Sequence, residues 1–507
     1  MTIASVLERA AASFPERAGL TVRGRRLTYP EMLEAARRAA GWLGARLASP
    51  SPPARLGLLD VNSGALPLCL FGAAFARLPF VPLNYRLTGG ELDALIDRVL
   101  PAILVVGPDY LAGVRPRAGL ALIGREAFLD LALAGPVPAI AAAADEDAVA
   151  VQLFTSGTTG RPKAALLRHR HLIAYLEDTQ KFGSAAATDA QLIAAPPYHI
   201  AGNANALTAV YVGRRMVHLA NFDPAGWLAT ARAEAATSAF VVPTMLGRIL
   251  EQLARTGETA PPSLRAISYG GGRMPVALLQ RALAQFPNAG FLNAYGMTET
   301  ASTICTLTPD DHRAAAASPD PAIRRRLGSA GRPTPRIEME IRDEQGHALG
   351  PGQSGRVFVR GIQVAGEYQD LGRLVDGDGW FDTRDRGQRD AAGYLFVEGR
   401  LDDVIVRGGE NISPGEIEEV LNAHPAVAEC AAVAMLDEEW GEAVAAFVVR
   451  QPGVPVEAGE LQDHVRRHLR SSRVPARVIF RDALPYNETG KLLRRVLRQE
   501  LEAHGPG

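Results

Sequence analysis

Lysine is almost absent from this chain: 51 of its 54 basic residues are arginines, and the lysines are Lys163, Lys181 and Lys491. Lys181 lies in an ordinary polar stretch and is interpreted as a solvated surface charge. Lys163 and Lys491 instead stand in glycine-containing polar motifs. An ammonium is a compact point charge that can sit between oxygens of two groups, whereas a guanidinium is a planar fork. These two lysines are therefore candidates for contacts that need an ammonium.

Cysteine is also scarce, and the net charge is close to zero. The three cysteines, Cys69, Cys305 and Cys430, are too few and too far apart for a disulfide framework or a zinc site, which indicates a reducing compartment. The formal net charge of -1 gives no reason to expect nucleic acid or an anionic membrane as a partner. No stretch has transmembrane length, and the charged residues 1–20 lack the apolar core of a signal peptide. We expect a cytoplasmic protein and leave a homodimer open.

Short apolar runs alternate with helical patterns, which is typical of an α/β protein with buried strands. The patterns predict strands at residues 102–106, 148–154 and 239–242, a helix at 278–286, a connector at 132–144 and a charged surface loop at 309–326. At 507 residues the chain is long enough for more than one domain.

A second organisation begins near residue 400. A strand is expected at residues 404–406, and Ser413 with Pro414 predicts a capped helix start. Strands near 431–435 and 443–449 and a helix near 460–469 would complete a small α+β domain. We predict an N-terminal domain over residues 1–401, built from several α/β subdomains, and a C-terminal domain over residues 402–507.

The strongest local signal is a run of glycines and hydroxyl residues directly after an apolar strand. Its backbone N–H groups and hydroxyls can surround a polyphosphate while the terminal lysine supplies charge. It lacks the spacing of a Walker loop, and a plain glycine-rich turn would not need the lysine. The run comprises Thr155, Ser156, Gly157, Thr158, Thr159, Gly160 and Lys163.

Together with blocks further along the chain, this run resembles the adenylate-forming superfamily of acyl-CoA synthetases, adenylation domains and luciferases. The blocks recur in order at residues 197–202, 269–272, 293–299, 380–385, 399–403, 408–412 and 484–491. The resemblance implies a large N-terminal α/β domain with a small mobile C-terminal domain. It also implies an AMP-forming acyl-CoA synthetase, which uses ATP, Mg²⁺ and coenzyme A to convert a carboxylic acid to acyl-AMP and then to a thioester.

The resemblance also assigns roles to particular residues. Glu299 would bind magnesium, Thr298 and Thr155 the phosphates, and Lys491 would bridge the carboxylate and the α-phosphate. Asp402 would be the hinge, and Gly408 and Gly409 would enter the cleft for the thiol step. The nucleoside contacts would come from Gly270, Gly271, Gly272, Asn293, Ala294, Tyr295, Gly296, Asp385 and Arg400.

Coenzyme A is favoured over a carrier protein as the thiol donor. Trp440 could lie near the coenzyme, although it could equally be a half-buried packing residue, and Arg473 could meet a coenzyme phosphate. Amino-acid substrates are disfavoured because residues 191–221 contain no Asp or Glu in the segment where such relatives place one. The wall predicted for the acyl pocket is neutral and suits an aromatic, alicyclic or medium aliphatic acid. It comprises His199, Ala201, Gly202, Pro243, Thr244, Tyr269 and Met297.

Three positions depart from the superfamily pattern: Ala164, Arg384 and the segment Gly366-Glu367-Tyr368. An arginine at 384 would be strained by about 1 kcal/mol or more if that position needs a positive φ, and it could displace Asp385. The alternatives are an enzyme that only converts a supplied acyl-adenylate to a thioester, and a nucleotide-binding homologue without catalysis. Retention of Lys163, Glu299 and Lys491 together speaks against the second.

Overall fold

A computed structural model of the chain describes residues 1–46, 54–142, 144–155, 162–487 and 492–503. Helices and strands alternate through most of the first 300 residues. The helices are α1 (Ile3–Ser13), α2 (Tyr29–Arg46), α3 (Ala65–Phe75), α4 (Gly89–Asp97), α5 (Arg125–Leu133), α6 (His169–Thr179), α7 (Ile200–Val212), α8 (Pro224–Ala233), α9 (Pro243–Thr256), α10 (Val276–Gln285), α11 (Pro309–Ala317), α12 (Pro321–Arg324), α13 (Pro414–Asn422), α14 (Ala458–His468) and α15 (Arg494–Ala503).

The strands are β1 (Ala18–Val22), β2 (Arg25–Thr28), β3 (Arg55–Leu59), β4 (Phe80–Pro82), β5 (Ala102–Val106), β6 (Leu120–Gly124), β7 (Val149–Thr155), β8 (Lys163–Arg168), β9 (Ala190–Ile193), β10 (Arg215–His218), β11 (Ser238–Val241), β12 (Ala266–Gly270), β13 (Gly290–Met297), β14 (Ser302–Leu307), β15 (Arg332–Pro333), β16 (Glu338–Arg342), β17 (Gly355–Arg360), β18 (Glu367–Tyr368), β19 (Gly372–Arg373), β20 (Phe381–Arg389), β21 (Leu395–Arg400), β22 (Ile405–Arg407), β23 (Glu410–Ile412), β24 (Val427–Asp437), β25 (Gly441–Arg450) and β26 (Arg477–Phe480).

The strands form four sheets. The first has nine strands in the order β15-β14-β13-β12-β11-β9-β10-β1-β2, and the second has eight in the order β19-β18-β8-β7-β4-β3-β5-β6. The middle of each is parallel, with helices packed on it, as buried strands of this kind require. The third sheet is antiparallel and has the order β16-β17-β20-β21. These three sheets belong to a large N-terminal α/β domain.

The fourth sheet lies in a small C-terminal α+β domain and contains β22 to β26. Its core includes Ile405, Ile417, Val444 and Leu461, which are buried between the sheet and the helices α13 and α14. The large α/β domain followed by a small one confirms the predicted fold class. None of the described helices is both long and apolar enough to cross a membrane.

Most of the predicted elements agree with the structure. The predicted strands correspond to β5, β7, β11, β22, β24 and β25, and the predicted helices correspond to α10, α13 and α14. Ser413 is the N-cap residue of α13 as predicted, but its hydroxyl donates to the Glu398 carbonyl at 2.5 Å and makes no capping bond within the helix.

The prediction of a surface loop at residues 309–326 was wrong, because α11 and α12 occupy most of it. The Thr308 hydroxyl caps α11 by accepting from the Asp311 N–H at 3.2 Å, and proline stands at the first turn of both helices. His312 and Ala315 are each 1% exposed, so one face of α11 is buried. The high content of proline and charge hid these start signals.

Candidate functional site

The predicted phosphate-binding run joins two antiparallel strands of the second sheet. Thr155 ends β7 and pairs directly with Lys163, the first residue of β8. Ser156, Gly157, Thr158, Thr159 and Gly160 lie outside the described residues. The Lys163 ammonium nitrogen is 5.8 Å from the centre of the Tyr368 ring. The hairpin therefore directs its lysine towards Tyr368, on the neighbouring strand β18.

Glu299 lies in a short 3₁₀ turn, Thr298–Thr300, immediately after β13. Its main-chain carbonyl accepts from the N–H groups of Ala365 and Gly366 at 2.9 and 3.0 Å, which fixes the turn against the segment before β18. The Tyr368 hydroxyl donates to the Glu299 carboxylate. Burial, followed by the Glu299 charge, raises the pKa of Tyr368 well above its ordinary value, so the phenol stays a proton donor.

Tyr368 was not among the residues predicted for the site, although its segment was noted as a departure from the superfamily pattern. It lies between the lysine of the phosphate hairpin and the predicted magnesium ligand. The described residues contain no group of three or more His, Cys, Asp and Glu side chains able to hold a metal. Glu299 fits Mg²⁺ as a single carboxylate ligand, because Mg²⁺ usually keeps water and phosphate oxygens as its other ligands.

The predicted ribose acceptor, Asp385, is held by two other predicted site residues. The Tyr295 hydroxyl donates to its carboxylate at 2.6 Å, and Arg400 Nε lies 3.0 Å from the other oxygen. Arg400 faces Asp385 across the ladder of β20 and β21, and its Nη1 also donates to the Thr383 carbonyl at 2.8 Å. Asp385 is only 5% exposed. The carboxylate is therefore fixed in position beside a guanidinium.

Electrostatic interactions link Asp385, Tyr295 and Arg400 to Glu299. Burial alone would lower the pKa of Arg400, but Asp385, Tyr295 and Glu299 together raise it above its ordinary value. Arg400 in turn opposes the rise in the pKa of Tyr368. One polar network thus draws residues from all three sheets of the N-terminal domain: Tyr295 from the first, Lys163 and Tyr368 from the second, and Asp385 and Arg400 from the third.

Several glycines of the predicted nucleoside site stand where a side chain would not fit. A Cβ at Gly270 would collide with the Ala294 carbonyl oxygen, and one at Gly296 would collide with the Ser302 carbonyl oxygen. Gly271 has φ +76°, which favours glycine. Gly272 differs from these glycines, because a Cβ there would make an ordinary contact of 3.8 Å with the Pro243 ring at the start of α9. The Asn293 amide nitrogen donates to the Ser329 carbonyl at 3.0 Å.

Five residues of the predicted acyl wall lie at the starts of α7 and α9. His199 is the N-cap residue of α7, and its Nδ1 accepts from the Ala201 N–H at 3.2 Å, which leaves the ring proton on Nε2 when the ring is neutral. A Cβ at Gly202 would lie 2.5 Å from the Pro196 carbonyl oxygen, so this glycine permits a tight turn. Pro243 is buried at the first turn of α9, and Thr244 remains partly exposed.

The other two predicted wall residues lie in hydrophobic cores. Tyr269 is fully buried between β12 and the helices outside the first sheet, and its hydroxyl lies 2.8 Å from His312 Nε2. Residues alternate between the faces of a strand, so Ser268, and not Tyr269, shares a face with Gly270. Met297 packs with Ile304 and Val357 and is 9% exposed. The sequence assignment of Tyr269 to the pocket overlooked this alternation.

Arg384 does adopt the positive φ that was considered as a possible source of strain at this position. Its φ is +60°, in the left-handed region that favours glycine. Asp385 is nevertheless held by Tyr295 and Arg400, so the strained residue has not displaced it. The Arg384 guanidinium lies 2.9 Å from the carboxylate of Asp402, the predicted hinge.

The predicted coenzyme residues lie on the C-terminal domain. Gly408 and Gly409 have φ of +56° and +81°. Trp440 packs against Gly408 and is 44% exposed as a residue. Trp440 is thus a packing residue that also presents a large apolar surface. Arg473 forms ion pairs with Glu410 and Glu416, which occupy its guanidinium in this structure. Lys491 lies outside the described residues.

Comparison with known proteins gives two family matches and a set of similar chains. The family model for AMP-binding enzymes matches residues 7–369, and the model for the C-terminal domain of AMP-binding enzymes matches residues 416–491. Indoleacetate–CoA ligase from Aromatoleum aromaticum is 32% identical over 98% of both chains. Feruloyl-CoA synthase from an Amycolatopsis species is 33% identical over 97% of both chains.

One relative named as an acyl-carrier-protein ligase and two solved structures are also similar to this chain. A fatty acid–[acyl-carrier-protein] ligase from Streptomyces coeruleorubidus is 33% identical over 94% of this chain and 92% of its own. ATP-bound MatB from Rhodopseudomonas palustris has a TM-score of 0.87 and 27% identity over the whole of both chains. The o-succinylbenzoate CoA synthetase from Bacillus subtilis, bound to its acyl-adenylate intermediate, has a TM-score of 0.82 and 29% identity over 97% of both chains.

Proposed function

Because the chain belongs to the AMP-binding enzyme family, we propose that its cleft activates a carboxylic acid with Mg-ATP and transfers the acyl group to coenzyme A. The observation that carries this proposal is the polar network that joins Lys163, Tyr368 and Glu299 to Arg400 and Asp385. It provides a cation and an acid side by side for phosphate and magnesium, and a fixed carboxylate for ribose.

The chemistry consists of two balanced steps. An oxygen of the substrate carboxylate attacks the α-phosphorus of ATP, and pyrophosphate leaves with the electrons of the broken P–O bond. The thiol of coenzyme A, as it loses its proton, then attacks the acyl carbonyl, and AMP leaves. Both steps concentrate negative charge, so positioning and electrostatic stabilisation by Lys163, Arg400 and Lys491 carry most of the catalysis. Magnesium at Glu299 would supply further charge neutralisation on the phosphates.

The finer assignments are part of the same proposal. Lys491 would act in acyl-AMP formation, Asp402 would be the hinge, and the domain boundary would fall between residues 401 and 402. The fourth sheet begins at Ile405, which supports this boundary. The acid itself would carry no charge other than its carboxylate. Its carbon skeleton would be aromatic, alicyclic or medium aliphatic. The three cysteines are free and buried, which supports a reducing, cytoplasmic location.

The test is to mix the protein with ATP, Mg²⁺ and a panel of carboxylic acids, with and without coenzyme A. Pyrophosphate release that depends on the acid, and an acyl-CoA product identified by its mass, are the expected results. Pyrophosphate release would exclude the alternative that only uses a supplied acyl-adenylate. The absence of any product across a broad panel, with either ATP or synthetic acyl-adenylate, would favour the non-catalytic alternative.

A carrier-protein thiol is the second candidate acceptor, since one relative is named as an acyl-carrier-protein ligase. Coenzyme A remains the better choice because two of the similar chains are named as CoA-dependent. A competition assay with coenzyme A and a phosphopantetheinylated carrier protein decides between them. We expect transfer to coenzyme A, and preferential loading of the carrier protein would contradict this.

A further inference from the structure

One face of the first sheet remains open in the middle of the molecule. Phe240, Ser268 and Leu292 lie side by side on β11, β12 and β13, and all three remain partly exposed although their strands are central. On the opposite face, Val241 and Tyr269 are fully buried. Partial exposure confined to one face of central strands indicates a cleft on that face, which we call the acyl cleft.

The acyl cleft adjoins the nucleotide site. A Cβ at Gly270 would lie 3.6 Å from Cε2 of Phe240, so the Phe240 ring stands directly below the glycine segment. Ala294 pairs with Gly270 and is partly exposed as well. A carboxylate held near Gly270 could therefore extend its acyl group past Phe240 and Leu292, whose apolar surfaces suit a flat ring.

The far end of this cleft is polar. Gln191 on β9, Asn205 on α7 and Ser238 on β11 form a hydrogen-bonded group, here called the polar floor. The Gln191 amide nitrogen donates to Asn205 Oδ1 at 2.9 Å, and the Asn205 amide nitrogen donates to the Ala201 carbonyl at 2.7 Å. The Ser238 hydroxyl donates to Gln191 Oε1 at 2.5 Å. Gln191 and Ser238 are each 4% exposed, whereas Asn205 remains partly exposed.

Arg214 fixes the orientation of the polar floor. Its Nη1 donates to Gln191 Oε1 at 3.3 Å, so this oxygen accepts from both Ser238 and Arg214 and the Gln191 amide cannot flip. Arg214 has no carboxylate within 4.0 Å in the described part of the chain, and its buried Nε has no hydrogen-bond partner there. The floor therefore retains a second amide N–H on both Gln191 and Asn205 and oxygens that can accept, and the buried Arg214 guanidinium lies behind them. An oxygen substituent suits this set, and an alkyl end would leave it unsatisfied.

The length of the cleft follows from strand geometry. Ser238 pairs with Ala266, and Gly270 lies four residues further along β12, which corresponds to roughly 13 Å at about 3.3 Å per residue. A hydrogen bond of about 3 Å at the floor leaves roughly 10 Å between the carboxylate and the distal oxygen. An aromatic acid with a short unsaturated side chain and a para oxygen approaches this length.

We propose that the polar floor selects hydroxyaryl acids, in which a phenolic hydroxyl at the end remote from the carboxylate bonds to Asn205 and Ser238. This proposal rests on the proposed function, because it concerns the acid that the cleft activates. A phenol both donates and accepts, so it can use the free Asn205 N–H together with the Ser238 oxygen. Phe240 and Leu292 would enclose its ring.

The experiment compares trans-4-hydroxycinnamate with trans-cinnamate, two acids that differ only in the distal hydroxyl. The full-length protein is assayed with ATP, Mg²⁺ and coenzyme A, and kcat/KM is measured through AMP release. We expect a preference for the hydroxylated acid of at least about tenfold, since a site built to bond a hydroxyl discriminates strongly against an analogue without one. In Asn205→Leu and Ser238→Ala the preference should fall to within about twofold, mainly through the KM of the hydroxylated acid.

The control variant is Thr208→Val, one turn further along α7. It also removes a hydrogen-bonding group from that helix, but the Thr208 hydroxyl bonds to Tyr175 at 3.3 Å and not to the floor. Equal use of the two acids by the unsubstituted protein would overturn the proposal without any variant. So would a preference that survives in both floor variants. If no acid in a broad panel supports AMP release, the proposed function itself fails.

Discussion

Arg384 offers a test of whether backbone strain beside the ribose acceptor matters. Its φ of +60° costs an L-residue about 1–2 kcal/mol, whereas glycine adopts this conformation freely. Its partner Asp402 is exposed, and an exposed ion pair contributes at most about 0.5–1 kcal/mol. Two substitutions separate the two effects, because Arg384→Ala loses the ion pair and keeps the strain, while Arg384→Gly loses both.

We expect the free energy of unfolding of Arg384→Gly to be about 1 kcal/mol higher than that of Arg384→Ala. This value already allows for the greater flexibility of glycine in the unfolded chain, which lowers stability. Arg384→Ala should lie within about 1 kcal/mol of the parent protein. Urea unfolding in a Trp440→Phe background measures this, since the remaining tryptophans, Trp42, Trp227 and Trp380, all lie in the N-terminal domain.

Substitution of Arg384 should change the kinetic constants less than it changes the stability. Asp385 is fixed by Tyr295 and Arg400, not by residue 384, so the KM for ATP in Arg384→Gly should stay within about twofold of the parent value. The reasoning is refuted if Arg384→Gly is less stable than Arg384→Ala. A large change in the KM for ATP would show that Arg384, and not the Tyr295–Arg400 pair, positions the ribose acceptor.

Four further substitutions or conditions test other parts of the site. Asp385→Asn should lower kcat/KM for ATP by about 10- to 100-fold, because a charged hydrogen-bond acceptor is lost and Arg400 is left without its carboxylate; AMP release measures this. Tyr368→Phe should raise the Mg²⁺ concentration needed for half-maximal activity, whereas Tyr394→Phe, which removes a hydroxyl bonded to Asp311 and not to Glu299, should not. Lys491→Ala should lose acid-dependent AMP formation and keep thioester synthesis from synthetic acyl-adenylate, and equal loss of both would contradict the proposed role. Burial lowers the pKa of His169 and His171 to about 4, so the unfolded chain takes up protons first as the pH falls below about 6.5. Each ring should then cost on the order of 1–2 kcal/mol of stability by pH 5, which urea unfolding of His169→Gln detects against the exposed control His347→Gln.

The local parts of the fold could be predicted from the sequence. Apolar runs located β5, β7 and β11, since a buried strand needs nothing but apolar residues and a turn at each end. Short signals also located the start of α13, a helix of the C-terminal domain, at Pro414. The order of strands in the sheets depends on contacts between distant residues, and no local pattern carries that information.

The site was predicted as a set of residues, but its geometry was not. The motifs supplied Tyr295, Asp385 and Arg400, yet nothing in them indicated that the tyrosine hydroxyl and the guanidinium would hold the same carboxylate. Tyr368 was missed because it belongs to a two-residue strand with no pattern of its own. The polar floor was missed because Gln191, Asn205 and Ser238 come from three elements that only the fold brings together.

The position of the predicted hinge relative to the ribose acceptor has a mechanical consequence. Asp385 and Arg400 are direct partners in the β20–β21 ladder, and Asp402 follows just beyond the end of that ladder. Tyr295 and Arg400 both bond to Asp385. Both precede Asp402 in the chain and belong to the sheets of the N-terminal domain. A rotation about Asp402 would therefore break the exposed Arg384–Asp402 pair at small cost and leave the contacts of Asp385 with Tyr295 and Arg400 intact. The nucleotide could then stay bound at its ribose while the C-terminal domain exchanges the Lys491 segment for the Gly408–Gly409 segment, so that one cleft serves both half-reactions.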